Sequence, residues 1–265
     1  MPPSPLTIAT TDILRRIAAQ DPDPAQLAAA LRLLAKWRSE LISNTLVKRS
    51  GTTILSGPFQ GMKYATDGAE GTRSSRLLGV YEASLAPVID TIIARAYPLV
   101  IDIGSAEGYY AVGLARRMPA TRLMARDESP KAQDLCRALA ALNDVADRVE
   151  IGGRMDHAGL AICATTPTAI ICDIEGAEGD LLDPTAAPAL AAADILVEVH
   201  EFMAPGLLAL LTTRFAPTHT ITRIDRQIDA SSLPAWMEEL SDLDRLIALW
   251  EWRGGPTPWL WMQHK

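Results

Sequence analysis

Val100-Ile-Asp-Ile-Gly-Ser-Ala-Glu-Gly-Tyr-Tyr110 is the stretch that decides the fold of this chain. An apolar run ends at Asp102, a turn bearing Gly104 and Gly108 follows, and a helix-forming segment continues to Met118. This pattern predicts a strand, a tight turn and the start of a helix. Glycine lets a ligand approach the backbone closely, and the free N–H groups of a helix N-terminus can bind an anion such as a carboxylate.

The segments that follow continue the same pattern. Arg122–Arg126 predicts a second strand that runs into Asp127, and Pro130 opens a helix that we expect to reach about Asn143. An acidic residue at the end of the second strand of such a unit commonly binds ribose hydroxyls. Because helices fall between strands, the alternation predicts an α/β fold with a doubly wound, mostly parallel sheet. The other strands are predicted at Leu99–Ile103, Arg148–Gly152, Ala169–Ile174, Asp194–Val199, His219–Arg226 and Trp259–Met262.

The first part of the chain predicts a helical cap, residues 1–86, before a main domain, residues 87–265. Helices are expected at Ile13–Gln20 and Ala25–Ile42, on either side of the helix-breaking Asp21-Pro-Asp-Pro24. The second helix carries an apolar stripe, which either packs on the main domain or serves as a dimer surface or a lid over the substrate. The stripe consists of Leu27, Leu31, Leu34 and Leu41.

Two segments connect the cap to the main domain. Ala65–Arg76 is polar and contains two glycines, which predicts a mobile loop. Val80–Ala96 predicts a helix, and Pro87 inside it marks either a kink or a fresh helix start.

Composition excludes several classes of protein. The chain has 265 residues, 48% of them hydrophobic, which is enough for one α/β domain with an appendage. Its net charge of −7 and its lack of a Lys/Arg-rich run disfavour a nucleic-acid partner. We find no apolar run long enough for a membrane and no signal-peptide pattern, so we expect a cytoplasmic protein. The three cysteines form no C-x-x-C pair and are expected to be small buried hydrophobes.

Three motifs together resemble the class I S-adenosylmethionine (SAM) methyltransferases. They are Asp102-Ile-Gly-Ser-Ala-Glu-Gly-Tyr109, Ala125-Arg-Asp-Glu-Ser-Pro130 and Asn143, with Ala106 where the family usually has another glycine. The resemblance implies a Rossmann-like methyltransferase fold with a seven-stranded sheet, whose last strand is antiparallel and inserted between its neighbours. A nicotinamide enzyme normally shows G-x-G-x-x-G, so a nucleotide-dependent oxidoreductase is a weaker alternative. A non-catalytic scaffold with this fold is a third.

Two later motifs narrow the resemblance to the FkbM-type methyltransferases, which are mostly O-methyltransferases of natural products and sugars. They are Asp173-Ile-Glu-Gly-Ala-Glu178 and Val197-Glu-Val-His200. The segments Gly57–Tyr64, Leu78–Glu82 and Glu251–Leu260 are also similar to segments of that group. The similarity spans Gly57 to Met262 and implies O-methylation of a small-molecule acceptor.

The resemblance also implies which residues bind the cofactor SAM and its product S-adenosylhomocysteine (SAH). Asp127 would bind the ribose hydroxyls, Met155 and Asp156 the adenine, and Asp173 would lie at the edge of the same site. The amino-acid part of SAM would lie near Asp102, Gly104, Ser105, Ala106, Gly108 and Tyr109.

The acidic motifs follow two predicted strands, so they should lie at the ligand-binding rim of the sheet. A sugar or aliphatic hydroxyl has a high pKa, and histidine is the most frequent general base. We therefore predict His200 as the base, with Asp173 or Glu175 orienting it or substituting for it. Glu198 should point to the same side of its strand as His200 and fix the tautomer of the ring. A hydrogen-bonded structural histidine is an equally weighted alternative.

A divalent cation is the rival interpretation of these residues. Asp173, Glu175, Glu198 and His200 can hold an ion such as Mg²⁺, which would acidify an acceptor hydroxyl. The sequence shows no compact metal-binding spacing, so we do not favour a metal. The helical cap is expected to form a homodimer contact or to cover the substrate.

Overall fold

A computed structural model describes residues 2–21, 23–65, 73–230 and 233–265. Seven strands of the described residues form one sheet in the order β3-β2-β1-β4-β5-β7-β6. The first five pair in parallel, whereas β7 is antiparallel to both β5 and β6. The strands are β1 (Leu99–Ile103), β2 (Arg122–Arg126), β3 (Val149–Gly152), β4 (Thr168–Cys172), β5 (Asp194–Glu198), β6 (His219–Ile224) and β7 (Trp259–His264).

This topology confirms the doubly wound fold predicted above, including the antiparallel last strand between its neighbours. Each of the seven predicted strands is present, with bounds that differ by at most two residues at either end. The central strands β1, β4 and β5 are buried along their whole length. Continuous apolar runs of this kind are typical of parallel strands that helices cover on both faces.

Nine α-helices occur in the described residues, and those of the main domain pack on the two faces of the sheet. Alternate residues of β1 enter different cores, since Val100 packs on one face and Ile101 on the other. All three cysteines are buried and unpaired, as expected. The helices are α1 (Pro5–Ala18), α2 (Pro24–Ser50), α3 (Arg73–Leu78), α4 (Ala86–Arg95), α5 (Tyr109–Arg117), α6 (Pro130–Leu142), α7 (Glu178–Leu181), α8 (Leu207–Phe215) and α9 (Asp242–Ala248).

The cap helices are longer than predicted. Helix α1 begins at Pro5 rather than Ile13, because the Ser4 hydroxyl caps it by accepting from Thr7 N at 3.2 Å and proline suits the first turn. Helix α2 continues past Ile42 to Ser50, and Leu46 on the added turns is buried against the main domain.

The leucine stripe of α2 does not pack on the main domain, which was the first of its two interpretations. Leu27, Leu31 and Leu34 are 69%, 68% and 40% exposed. A different face of α2 is buried instead, and it consists of Ala35, Ser39, Ile42, Ser43 and Leu46. The buried face uses small and hydroxylic residues, so a count of leucines selected the wrong side of the helix.

The connecting segments differ from prediction in one place. Residues 66–72 of the expected loop lie outside the described residues, whereas Arg73–Arg76 belongs to α3, so the loop prediction is wrong there. Helix α3 is almost wholly buried, which explains why this polar sequence forms a helix and not a loop. Pro87 lies in the first turn of α4 after a short 3₁₀ turn, which confirms the fresh start and excludes the kink.

One described segment, Arg73–Arg95, is long and apolar enough by length and composition to cross a membrane, with a mean hydropathy of 1.5. The expectation that the chain has no apolar run long enough for a membrane is therefore wrong as far as composition is concerned. In the fold the segment is divided between α3, a 3₁₀ turn and α4, and it contributes Leu77, Leu85 and Ile92 to the core.

Candidate active site

A cavity of about 1140 Å³ opens at the carboxyl ends of the parallel strands. Pockets for one drug-sized ligand span roughly 300–1,000 Å³, so this cavity is at the upper end of that range or slightly beyond it. We call one side the β1–β3 half, lined by Gly104, Ala106, Asp127, Met155 and Asp156. We call the other side the β4–β5 half, lined by Asp173, Glu175, Glu198, His200 and Arg253.

The turn after β1 approaches the β4 backbone too closely for any side chain at Gly104. Gly104 has φ 81°, and a Cβ there would lie 1.6 Å from Asp173 O. Gly108 has φ 91°, and a Cβ there would lie 2.6 Å from Cys136 Sγ. Ala106 also has a left-handed backbone, with φ 45°. The two glycines are therefore a geometric requirement of the turn, which holds its backbone at the edge of the cavity.

Four of the predicted cofactor residues support the turn from below and do not line the cavity: Asp102, Ser105, Gly108 and Tyr109. Asp102 is 2% exposed and its Oδ2 accepts from Ala111 N at 3.0 Å, at the start of α5. Burial raises the pKa of Asp102 to about 7, against the effect of that hydrogen bond.

The two other predicted carboxylates of this half line the cavity and also order its backbone. Asp127 Oδ2 accepts from Ala106 N at 2.9 Å, and its Oδ1 accepts from Ser129 N at 2.8 Å. Asp156 Oδ1 accepts from Gly159 N at 2.8 Å. A carboxylate can accept several hydrogen bonds, so both keep capacity for a ligand that donates hydroxyl or amine protons.

His200 lies at the centre of the β4–β5 half and is only 3% exposed. Its Nδ1 lies 2.8 Å from Glu178 Oε1. Its Nε2 faces the cavity carboxylates, 3.3 Å from Glu175 Oε2 and 3.7 Å from Asp173 Oδ1. The structure therefore brings together the three residues predicted to carry the chemistry.

Glu178, rather than Glu198, holds the ring of His200. Glu178 is fully buried, and its Oε1 also accepts from Ile174 N at 3.1 Å and Gly176 N at 3.2 Å. Glu198 Oε2 lies 3.8 Å from the other ring nitrogen and its Oε1 binds Arg253 instead. The prediction that Glu198 fixes the tautomer is thus wrong, because Arg253 takes that carboxylate.

The pKa values of the pair follow from its charges. Burial alone would lower the pKa of His200, but the Glu178 hydrogen bond and the nearby carboxylates outweigh it and raise the pKa above 6.5. Burial alone would raise the pKa of Glu178, yet the hydrogen bond with His200 holds it below its usual value. Both shifts stabilise the charged form of the pair, which is the form that His200 reaches once its Nε2 has accepted a proton.

Asp173 and Glu175 are less engaged. Burial raises the pKa of Asp173 to about 7, and among the described residues no hydrogen bond reaches its buried Oδ1. Glu175 has φ 55°, a left-handed backbone that side-chain-bearing residues rarely adopt, and its side chain is 67% exposed. One ligand atom each from Asp173, Glu175 and His200 lies within 4.8 Å of the others, a spacing that can hold a metal ion.

Arg253 connects three carboxylates beneath the β4–β5 half. It pairs with Glu82 and Glu198, and its Nε lies 3.3 Å from Glu251 Oε2. Burial and the charge of Glu82 raise the pKa of Glu251 to about 7. This cluster joins the cap, β5 and the loop before β7.

Sequence reasoning assigned no role to this cluster or to a second buried pair. Arg76 of α3 pairs with Glu107 in the glycine turn, and Tyr64 Oη donates to Glu107 Oε1 at 2.6 Å. Glu107 lies inside the glycine motif of the sequence. An acidic residue among neighbours that are expected to be buried could have indicated a buried ion pair. The Glu82–Arg253 pair joins residues 171 positions apart, so no local pattern could indicate it.

Apolar side chains form the mouth of the β4–β5 half. Phe202 and Met203 are each 51% exposed and line the cavity. Trp252 also lines it and stacks on Trp250, with ring centroids 4.3 Å apart. A ligand that enters this half passes exposed aromatic rings before it reaches the carboxylates.

Comparison with known proteins gives partial similarities. No family model matches the chain. A ribosomal protein L11 methyltransferase from Pelobacter propionicus is 34% identical over 107 residues, which is 40% of this chain and 28% of that protein. The matched region is thus less than a third of that relative.

Several solved structures share the arrangement of helices and sheet. The O-methyltransferase from Bacillus cereus in complex with SAH has 13% identity and a TM-score of 0.48, covering 97% of this chain and 99% of its own. The O-methyltransferase TomG from Streptomyces achromogenes in complex with SAM has 13% identity and a TM-score of 0.47, covering 86% and 89%. The strand order described above, with its antiparallel last strand between two neighbours, is the one that the methyltransferase resemblance implies.

Proposed function

We propose that this protein is a SAM-dependent methyltransferase that methylates a hydroxyl group of a small molecule. The observation that carries the proposal is the juxtaposition, in one cavity, of the Gly104–Gly108 turn and the His200–Glu178 pair. The first suits a cofactor that approaches the backbone closely, and the second suits removal of a proton from an acceptor. The partial identity to a methyltransferase sequence supports the same class.

The residues of the β1–β3 half fit SAM. The turn at Gly104 offers backbone without a side chain to the carboxylate of its amino-acid part, as helix N-termini do for anions. Asp127 lies where ribose hydroxyls can donate to it, and Asp156 and Met155 lie where adenine can bind. Asp173 lies at the boundary with the other half. Asp102, Ser105, Gly108 and Tyr109 act as positioning residues under the turn.

Bound SAM supplies a methyl group that its sulfonium charge has already activated. The acceptor oxygen would take that methyl group with SAH as the leaving group, and His200 Nε2 would accept the proton of the hydroxyl. Glu178 stabilises the resulting imidazolium. Asp173 and Glu175 orient the acceptor or the ring, and either can receive the proton in place of His200.

The finer assignment to the FkbM-type enzymes rests on the two acidic motifs and remains our proposal. The oxidoreductase alternative predicts NAD(H) binding at the Gly104 turn, and the scaffold alternative predicts SAM binding without turnover. We also propose that residues 1–86 form a cap on a catalytic domain of residues 87–265. We also propose a cytoplasmic protein without a nucleic-acid or membrane partner, which the net charge of −7 and the packing of Arg73–Arg95 in the core support.

A homodimer through the cap helices is a further proposal, and the exposed side chains of Leu27 and Leu31 support it. Light scattering coupled to size exclusion would give twice the chain mass for the wild type and the chain mass for a Leu27→Glu, Leu31→Glu variant. A wild-type monomer would contradict the dimer.

Thermal shift and a release assay test the proposed function. SAH should raise the melting temperature and NAD⁺ should not, since binding to the native state stabilises it. SAH release from SAM, measured over a panel of hydroxyl compounds, should fall by about 10²- to 10⁴-fold in His200→Ala with unchanged SAH affinity. Stabilisation by NAD⁺ alone would contradict the proposal, and unchanged turnover in His200→Ala would remove the base role.

A further inference from the structure

We propose that the acceptor of this enzyme carries an ammonium group close to the hydroxyl that is methylated, and that Asp173 and Glu175 bind it. This inference rests on the proposed function and specifies its substrate class. The class includes amino sugars and phenolic amines, and it excludes acidic acceptors such as carboxylates and phosphate esters.

The first observation is a surplus of negative charge around the β4–β5 half. Six carboxylates gather here against two guanidinium groups and one imidazole. The sulfonium of bound SAM would add one positive charge, which does not balance the set. The carboxylates are Glu82, Asp173, Glu175, Glu178, Glu198 and Glu251, and the cations are Arg226, Arg253 and His200.

The second observation separates the engaged carboxylates from the available ones. Arg253 binds Glu82, Glu198 and Glu251, while Glu178 accepts from His200 and two backbone amides. Within the described ranges, the side chains of Asp173 and Glu175 form an ion pair only with His200, at 3.7 and 3.3 Å, and both line the cavity. The buried Asp173 Oδ1 has no hydrogen-bond donor among the described residues. An acceptor that brings N–H donors would satisfy it.

The third observation is that, among the described residues, no unpaired arginine or lysine lines this half for an anionic acceptor. Arg76 and Arg253, the arginines that line this half, are already paired with Glu107 and with the carboxylate cluster. Arg154 lines the cavity after β3, three strands away from β4, which is roughly 14 Å at ordinary strand spacing. The sequence between the described residues, 66–72 and 231–232, contains no lysine or arginine.

The fourth observation is the pairing of aromatic rings with these carboxylates. Phe202 is half exposed at the mouth, and its ring centroid lies 6.2 Å from that of His200. Trp252 lines the same mouth. Aromatic faces next to carboxylates are the usual means of binding an ammonium group, because the ring quadrupole and the charge attract it together. The short distance from Glu175 to His200 Nε2 places the ammonium and the reacting hydroxyl on neighbouring parts of one molecule.

Ligand-observed NMR with SAH-loaded protein tests the inference on two matched sets of probes. The first set is glucosamine, glucose and glucuronate, and the second is tyramine, 4-ethylphenol and 4-hydroxyphenylacetate. In at least one set, we expect the ammonium member to bind about tenfold more tightly than its neutral and acidic counterparts, an effect of the size that a partly buried ion pair gives. The preference should disappear in Asp173→Asn and Glu175→Gln. It should persist in Asp180→Asn, which removes an exposed cavity carboxylate outside the His200 cluster.

Three results would overturn the inference. The first is that in neither set does the ammonium member bind more tightly than its neutral and acidic counterparts, or that neither ammonium probe binds at all. The second is an ammonium preference that survives both neutralising variants. The third is tight binding of Mn²⁺ alone that Glu175→Gln abolishes and that displaces the ammonium probe, because the cation of this site is then a metal. SAH affinity measured in each sample separates the two proposals: its loss contradicts the proposed function, whereas intact SAH binding without the preference contradicts the substrate class alone.

Discussion

The β1–β3 half of the cavity is built from backbone, whereas the β4–β5 half is built from charged side chains. In the first, a turn at Gly104 and Gly108 lies against Asp173 O, and Asp127 ties it down through Ala106 N. In the second, Arg253 and His200 hold a surplus of carboxylates at the ends of β4 and β5. The difference suggests that the backbone conformation of the first half binds the cofactor, whereas the charges of the second half select the acceptor.

Arg253→Met should have the largest effect on the folded state. It removes the cation paired with Glu82, Glu198 and Glu251, of which only Glu251 keeps another, Arg226, and breaking a buried charge pair costs about 3–5 kcal/mol. Chemical denaturation measures the change in the free energy of unfolding. The control is Arg223→Met, which removes an exposed pair with Asp225 and should cost less than about 1 kcal/mol. Similar small losses in both variants would mean that the cluster does not hold the β4–β5 half together.

Gly104→Ala should weaken SAH binding by about 10- to 100-fold, because forcing a methyl group into a packed site costs about 1–3 kcal/mol. The new Cβ would lie 1.6 Å from Asp173 O, so the turn must move. Gly153→Ala is the control, since nothing lies within 4 Å of a Cβ there. Calorimetric affinities compare the two variants. Equal affinities would show that the backbone of the β1–β3 half does not determine binding.

Glu178→Gln should lower the pKa of His200, since it removes the charged acceptor of the Nδ1–H bond. NMR titration of the histidine ring signals measures this value directly. Asp180→Asn, on the same short helix α7, should leave it unchanged. A His200 pKa that stays raised in Glu178→Gln would assign the effect to Asp173 and Glu175 alone.

Asp102 should make the ligand-free protein less stable as the pH rises. Its folded pKa of about 7 lies above the ordinary value of 3.8, so its contribution is full below that value and is lost as the pH approaches 7. Asp102→Asn should therefore flatten the decline in the free energy of unfolding between about pH 4 and 7. An unchanged decline in the variant would mean that Asp102 is already ionised in the folded state over this range.

The two halves also differ in how far the sequence predicts them. The glycine turn, Asp127 and the strand ends are local features, so β1 and β2 were predicted with their observed bounds. The sequence also placed Asp173 and His200 on one rim, because the ends of neighbouring parallel strands meet there. The sequence could not distinguish the predicted cofactor residues that line the cavity from those that only support the turn, because both groups belong to the glycine motif.

Long-range charge pairing lies beyond sequence patterns. The sequence indicated Glu198 alone as the residue that holds His200, whereas Glu178 does so in the structure and Arg253 binds Glu198. Arg253 lies 55 positions from Glu198 and 171 from Glu82, so its choice depends on the assembled fold. The prediction of the buried side of α2 was wrong for a different reason. Ser39 and Ser43 are buried there, but serine does not mark a helix face as apolar.

Isothermal titration of the purified protein with SAM and with SAH tests the central claim most directly. The account predicts saturable binding of both ligands at one site per chain, lost or weakened in Gly104→Ala and retained in His200→Ala. Retained binding in His200→Ala would place the cofactor in the β1–β3 half, separate from the proton acceptor. Absence of binding by folded wild-type protein would contradict the account.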